Sequence, residues 1–477
     1  MVEEKKEKEP QQPMFSKRDV FFIALSFVVV FTFFFLPTPS GLTHEGQVMI
    51  GILVMAAVLW ITEPIPLAVS GLLIMVLQPI LGAMTAEEVF SSFGNKAVFF
   101  LIGAFMLAAA IEKHGLHRRI ALKFLSFFEH NPRVFTFGIM VSCACLSFIM
   151  PEHGVAALFL PIVVSILVAM KLIPKQSNFG KVSMLCVAYG CSIGSLGTLI
   201  GGARNPLTIG VLSDLTPAVN ITFFEWMSYS MPVVFLSLPL VWLILQLVFP
   251  LEITDVTEAK KEINKQVTLT GSISGKEKAV LGILALTVVL WILFSSHQYF
   301  GLAAVAILSA VLLFLTGAIS WKDVEQRVPW GIILLYGGAI TLGIGVQETQ
   351  AGAWIAHLLF TAVGDNVYLV LLIMIVFAVL LTNVMSNIGA VAILLPIGIA
   401  IAGNIEGISP LLASMTIALC GGLAFMLVIA TPGNAITYSS GYFSTNDLFK
   451  AGSVANVLCI IVIFLVAVFY WMGVLGL

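Results

Sequence analysis

Long apolar blocks separated by short polar breaks run along the chain from residue 20 to its end. A helix needs about 20 apolar residues to cross the hydrocarbon layer of a bilayer. By that measure the sequence predicts spans at roughly 20–37, 47–62, 65–83, 97–112, 182–212, 228–249, 277–296, 301–318, 329–346, 410–438 and 451–475. Two further stretches, 134–170 and 366–402, are each interrupted midway by polar residues. Both read as re-entrant hairpins, because non-helical backbone at membrane depth is tolerated only inside protein or against a watery cavity. The predicted fold is therefore an all-α polytopic membrane protein of about 11 transmembrane helices plus two hairpins.

A constant offset relates the two halves. Gly82-Ala83-Met84-Thr85 matches Gly317-Ala318-Ile319-Ser320, Gly103-Ala104 matches Gly338-Ala339, and Leu160-Pro161-Ile162 matches Leu395-Pro396-Ile397, all 235 positions apart. The same offset sets Pro151-Glu152-His153 on Ser386-Asn387-Ile388, and Ser147 on Thr382. After a six-residue gap, Gly201-Gly202-Ala203-Arg204-Asn205 meets Ala430-Thr431-Pro432-Gly433-Asn434. Each half then makes five full crossings, an odd number, so the repeats are inverted in the bilayer. The expected organisation is a tail (1–19), a first span (20–44), repeat 1 (45–250, with hairpin 134–170 and broken helix 182–212), a linker (251–276) and repeat 2 (277–477, with hairpin 366–402 and broken helix 410–438). Inverted repeats with paired broken helices are the architecture of secondary transporters, whose substrate sits at the repeat interface.

Charge orients the chain. With an N-terminus in the cytoplasm, 21 of the 23 Lys and Arg residues fall inside, leaving Lys96 outside and Arg204 within the membrane. The C-terminus then lies outside. The polar N-terminal tail is no signal peptide, and residues 112–130, basic and amphipathic, are expected on the inner surface of what is expected to be a plasma (inner) membrane. Composition agrees: 59% of residues are hydrophobic and 10% charged, against about 25% charged in soluble domains. A net charge of −2 excludes a nucleic-acid partner. The six cysteines form no CxxC pair, so neither a zinc site nor a disulfide framework is indicated. No HExxH, GxSxG or paired intramembrane aspartate motif supports a hydrolase. Bulky ionisable groups at the breaks argue for an occluded site over an open channel.

The breaks carry the chemistry. An interrupted helix exposes unpaired carbonyls and amides. With Ser, Thr and Asn oxygens the carbonyls suit a small cation, while half-helix N-termini offer N–H groups to an anion. Asn205 before Pro206 reads as an N-cap with proline at the first helical position, and Asn387 and Asn434 sit where similar half-helices start. Glu152 and Arg204 are natural ion-pair partners, since a lone charge at the bilayer centre costs on the order of 2.5–3.5 kcal/mol.

Ser386-Asn387 at a hairpin tip, Ala430-Thr431-Pro432-Gly433-Asn434-Ala435 in a broken span, and Trp60-Ile61-Thr62-Glu63-Pro64-Ile65-Pro66-Leu67 resemble the divalent anion:sodium symporters, nearly throughout from residue 45. The resemblance implies a lipid-embedded homodimer, in each protomer a scaffold and a moving transport domain, and elevator transport of dicarboxylates, citrate or sulfate, dicarboxylate foremost. It implies sodium as coupling ion and no other cofactor. Substrate contacts are expected from Glu152, His153, Arg204, Asn387, Ile388 and Pro432. Cation contacts are expected from Thr382, Ser386, Asn387, Ala430 and Asn434, with Ser147 and Gly201 remaining of a first sodium site. The chain departs from the family's Ser-Asn-Thr tips, with Ile388 in place of Thr and Pro151-Glu152-His153 at the first tip. Arg204 stands where the family usually has proline. The expectation is that its guanidinium, held by Glu152, replaces the first sodium; the competing form has Glu152 or His153 take up a proton as coupling ion, in a proton-coupled or sodium-independent exchanger.

Overall fold

Ser, Thr and Asn residues start the helices in matched pairs. A computed structural model describes residues 15–128, 131–215, 217–295, 297, 300–363 and 366–477. Thr85 and Ser320 close capping boxes with Glu88 and Asp323 at the starts of the short helices Ala86–Ser91 and Trp321–Arg327. Asn131 and Asn366 accept from the amides of Val134 and Leu369 at the starts of Pro132–Leu146 and Val367–Val384. Both pairings keep the offset of 235. Thr222 and Ser444 cap Phe223–Val248 and Thr445–Leu465, again through capping boxes. A side chain that satisfies a first-turn amide fixes where a helix begins, so equivalent caps give the halves equivalent breaks.

The helices follow in the same order in each half. His44–Thr62, Leu67–Ile80 and Lys96–Lys113 of the first answer to Gly275–Phe294, Gly301–Leu315 and Trp330–Glu348 of the second. Each hairpin consists of two helices: Pro132–Leu146 with Glu152–Ala169, and Val367–Val384 with Asn387–Ala402. Pro161 and Pro396 lie at the same depth inside the returning helices. The broken spans are Asn178–Gly194 with Arg204–Ser213, and Pro410–Cys420 with Pro432–Tyr438. Among the described residues, nine helices are long and apolar enough to cross a membrane. The chain is a multi-pass membrane protein.

The halves interlock through glycine. A Cβ on Gly103 would lie 2.5 Å from the carbonyl carbon of Ala306, and one on Gly338 would lie 2.4 Å from the carbonyl oxygen of Gly71. Gly338 is the equivalent of Gly103, and Ala306 the equivalent of Gly71. The same contact is therefore made twice, reciprocally, as a two-fold relation requires. Backbones this close maximise dispersion contacts where lipid supplies no hydrophobic drive.

Trp60, fully buried, donates from Nε1 to the Ser70 hydroxyl at 2.9 Å. The bond spans the turn in which Glu63 takes a left-handed backbone (φ 45°) and ends His44–Thr62. Glu63 is exposed there.

Four features depart from expectation. The stretch 251–276 contains the helix Thr257–Leu269, which seats Ala259 and Ile263 in the core and bonds Gln266 to Ser165 of the first hairpin. A helix Ala351–Val363, unanticipated, parallels the amphipathic Leu116–Leu125. The last span ends in a π-helical segment, Val466–Met472. Finally, Asn205 is no N-cap. Arg204–Ser213 begins two residues earlier than that cap would set it, from Ala203, and the Asn205 side chain instead donates from Nδ2 to loop carbonyls.

Candidate functional site

The breaks of both halves face one cavity of about 400 Å³. Pro151, Glu152 and His153 of the first tip, Ser386, Asn387 and Ile388 of the second, Gly201–Arg204 of the first broken span and Pro432 of the second all line it. Leu67, Phe105, Ile332 and Leu335 close the apolar side.

Two asparagines shape the broken loops identically. Asn205 Nδ2 donates to the carbonyls of Ser195 (2.8 Å) and Thr198 (2.7 Å). Asn434 Nδ2 donates to those of Ala424 and Leu427, both at 2.9 Å. Donor and both acceptors are shifted by the same 229 positions. Helix caps thus fall elsewhere: Thr431 accepts from the Asn434 amide, and Ser386 from that of Gly389. Asn387 is the first residue of its helix and Asn434 the third of its own. Both asparagines of the loops keep a buried Oδ1 without a partner. In this register Arg204 lies opposite Gly433, and Ala203 opposite Pro432.

In the second repeat three oxygens converge. Thr382 Oγ1 lies 2.8 Å from Asn387 Oδ1 and 2.8 Å from the carbonyl of Gly421. A hydroxyl has one proton, so it can satisfy only one of these acceptors. A desolvated group of oxygens with surplus lone pairs is what a hard cation takes up. Ser386 lies at the same tip, and Ala430 is buried at the end of the short turn Val428–Ala430.

The first repeat places different chemistry at the equivalent point. Arg204, 1% exposed, points Nη2 at Ser195 Oγ (2.7 Å), and that hydroxyl lies 2.9 Å from Glu152 Oε2. The direct distance from Arg204 Nη1 to Glu152 Oε2 is 3.8 Å. The ion pair is thus bridged by Ser195, a residue the sequence reading passed over; its only signal was its place in the polar break after Gly194. Glu152 Oε1 accepts from Asn387 Nδ2 at 3.1 Å. A continuous network therefore runs Arg204–Ser195–Glu152–Asn387–Thr382–Gly421, joining the two halves. The guanidinium is pressed between Gly202 and Gly422; a Cβ on Gly422 would lie 2.2 Å from Nη2, and one on Gly202 2.7 Å from Nη1. Ser147, equivalent to Thr382, is buried with no partner for its hydroxyl.

A second cavity, about 1060 Å³, adjoins the site. His153 lines both; the larger also takes Glu112, His117, Arg118, Glu262, Lys265 and Arg327. It opens at the Lys113 end of Lys96–Lys113. At the opposite end of that helix, Asn95 Nδ2 donates to Asp214 Oδ2 at 2.6 Å and to the Gly210 carbonyl, pinning the C-terminal end of Arg204–Ser213. His114 Nε2 lies 2.7 Å from the carbonyl of Ala318, and His117 is half-buried; His130 lies outside the described residues.

Two hairpins and two broken spans, one of each per half, with their breaks facing one cavity are the architecture of a secondary transporter. Residues 17–477 match the sodium:sulfate symporter transmembrane region, and the chain belongs to that family, the divalent anion:sodium symporters, whose members are transporters and not enzymes. It is 30% identical over 468 residues to the sodium-dependent dicarboxylate transporter SdcS of Staphylococcus saprophyticus, covering 92% of this chain and 88% of the relative. It is equally 30% identical to an uncharacterized transporter of Haemophilus influenzae (89% and 91% covered). In fold it resembles the YdaH transporter of Alcanivorax borkumensis (TM-score 0.56, 13% identity, 91% and 99% covered) and MtrF of Neisseria gonorrhoeae (0.55, 12%, 96% and 95%).

Proposed function

We propose that this protein carries a small anion across the membrane together with sodium at the Thr382 site, with Arg204 fixed where a first sodium would otherwise sit. One observation carries the reading: equivalent points of the two repeats hold an under-protonated oxygen cluster in one case and a guanidinium in the other. Thr382, Ser386, Asn387, Ala430 and the buried Oδ1 of Asn434 supply hard oxygens for the cation. Ser147 and Gly201 keep the outline of the first site, filled by Arg204 and Ser195. The dicarboxylate named for the staphylococcal relative sets the scale of the cargo, a small carboxylate reached through the second tip, Arg204 and Pro432.

The two cavities support an inward-open state. Through His153 the site continues into the larger cavity, on the side that the distribution of basic residues leads us to read as cytoplasmic. At the other end a separate cavity of about 550 Å³, lined by Asn95 and Asp214, shares no lining residue with the site. Movement of hairpins and broken spans as one body past the glycine-interlocked helices, in a homodimer, is the elevator this geometry accommodates.

Anion uptake into proteoliposomes, with sodium replaced by choline at several pH values, tests the reading. The expected result is a simple, non-cooperative sodium dependence. A steep multi-sodium dependence would overturn the Arg204 substitution. Uptake driven by a proton gradient without sodium would transfer the coupling to Glu152 or His153.

A further inference from the structure

We infer that the helix Thr257–Leu269 is a strap, seated on the first hairpin only while the site opens into the larger cavity, and that it leaves the hairpin once in every transport cycle. The inference rests on the moving-body reading above and adds a part to it.

The strap joins the two bodies. Ahead of it, Asn178 Nδ2 donates to the Pro250 carbonyl at 2.9 Å, and the Glu252 carboxylate accepts from the Phe179 amide at 3.0 Å and from the Ser177 hydroxyl. Residues 250–252 are thereby fastened to the start of the broken span Asn178–Gly194. Behind it, Arg119 of Leu116–Leu125 donates to the carbonyls of Thr270 (2.9 Å) and Gly271 (2.8 Å) and to Glu277 Oε1 (3.1 Å). Glu277 stands in the first turn of Gly275–Phe294, which is bonded to the interlocked Gly301–Leu315 through Thr287 and Ser309. One end is therefore held by the body that moves and the other by helices that stay. Between them the strap lies on the returning helix Glu152–Ala169, with Ala259 and Ile263 buried and Gln266 bonded to Ser165.

The holds are unequal. Arg119 makes charge-assisted bonds, the stronger kind, whereas the hairpin offers one neutral bond and a few apolar contacts. Nor can the strap follow the hairpin. Glu258, Lys260, Lys261, Glu262 and Lys265 crowd its length, and Ser165 lies one turn from the end of its own helix at Ala169. A hairpin that carries cargo outward draws that end toward the hydrocarbon, where charges are expensive. The strap stays at the surface and the Gln266–Ser165 bond breaks. The larger cavity then loses a wall, since Glu262, Lys265, Gln266 and Leu269 of the strap line it opposite Leu158 and Pro161 of the hairpin.

Two experiments test this on the full-length protein, each with the wild type as control for its native cysteines. In proteoliposomes, the double variant Ser165→Cys with Gln266→Cys is joined by a short, reducible bifunctional thiol reagent. Sodium-driven succinate uptake is expected to be lost on cross-linking and restored by reduction. The pair Asn95→Cys with Asp214→Cys, which ties the broken span to a helix that stays, is expected to behave alike. Uptake that persists with the strap tied but stops with the second pair tied overturns the strap alone. Uptake that persists in both overturns the moving body, and the strap falls with it. Spin labels at exposed positions serve where the buried pair fails to fold. Asn264→Cys on the strap is paired with Lys171→Cys beyond the hairpin, or with Lys123→Cys on Leu116–Leu125. The strap–hairpin distance is expected to take two values and the strap–surface-helix distance one; the reverse pattern overturns the inference.

Discussion

Glu152 Oε1 and Asn387 Nδ2 are hydrogen-bonded at 3.1 Å, and the two residues occupy the same position in opposite repeats, 235 apart. Equivalent residues touch only on or beside the axis that relates the halves. The tips of the two hairpins therefore meet at the centre of pseudo-symmetry, and there the symmetry of chemistry is broken: one tip brings a carboxylate, the other an amide. The amide's remaining oxygen faces Thr382, so Glu152 is linked to the Thr382 oxygens through a single side chain.

Thr382→Val removes the central oxygen of that cluster while keeping its shape. Sodium is expected to stabilise the wild type and to require about ten-fold more ion in the variant. The protein itself should lose about 1 kcal/mol for the missing bonds. Thermal shift against sodium concentration separates the two effects.

Arg204→Met leaves Glu152 as an unpaired buried charge, and a loss of about 3–5 kcal/mol is expected. The double variant Arg204→Met with Glu152→Leu should recover most of it, since removing both charges removes the desolvation cost. Unfolding in detergent, followed for the two variants side by side, checks the order. A double variant less stable than Arg204→Met would show that the pair itself is a source of stability.

At Gly422 the smallest possible side chain is enough. The added methyl of Gly422→Ala would lie 2.2 Å from Arg204 Nη2, so the guanidinium must leave Ser195. Anion binding is expected to fall by about ten-fold or more, while Gly441→Ala, in open space at a positive φ, affects stability alone. Calorimetry on both proteins distinguishes displacement of Arg204 from general strain.

His117 provides the pH dependence. Burial of its imidazole lowers its pKa from 6.5, partly offset by a hydrogen bond to the Ile111 backbone and by Glu112 nearby. A group so depressed contributes stability in full above about 6.5, its ordinary value, and that stability is lost as pH falls toward the lowered value. Melting temperature should therefore decline on acidification below neutrality, and His117→Phe should flatten that decline. An unchanged pH profile in the variant would assign the effect to another group.

Much of this architecture is legible in the chain because the repeat is marked by residues with fixed structural duties. Caps such as Thr85 and Ser320, and helix prolines such as Pro161 and Pro396, hold their spacing because backbone hydrogen bonding demands them at those points. The pairing of Glu152 with Arg204 could be read from the cost of a lone charge. Its bridge could not, since Ser195 is one of many serines and only the fold brings it between them. Asn205 misled for a related reason: an asparagine before proline suits a cap, but the buried loop carbonyls of Ser195 and Thr198 take both hydrogens of its Nδ2 and set the side chain so that its Oδ1 accepts from no helix amide. The helix Thr257–Leu269 hid in a polar segment because its few apolar contacts with the first hairpin are long-range.

The reciprocal glycine contacts have a consequence for biogenesis. Gly103 packs on Ala306, and Gly71 on Leu335 and beneath Gly338, so the bare backbone faces of the leading half stay unmatched until some two hundred more residues have left the ribosome. During synthesis that half must wait in the lipid beside the insertion machinery as an unfinished surface, and neither half made by itself would find its closest fit.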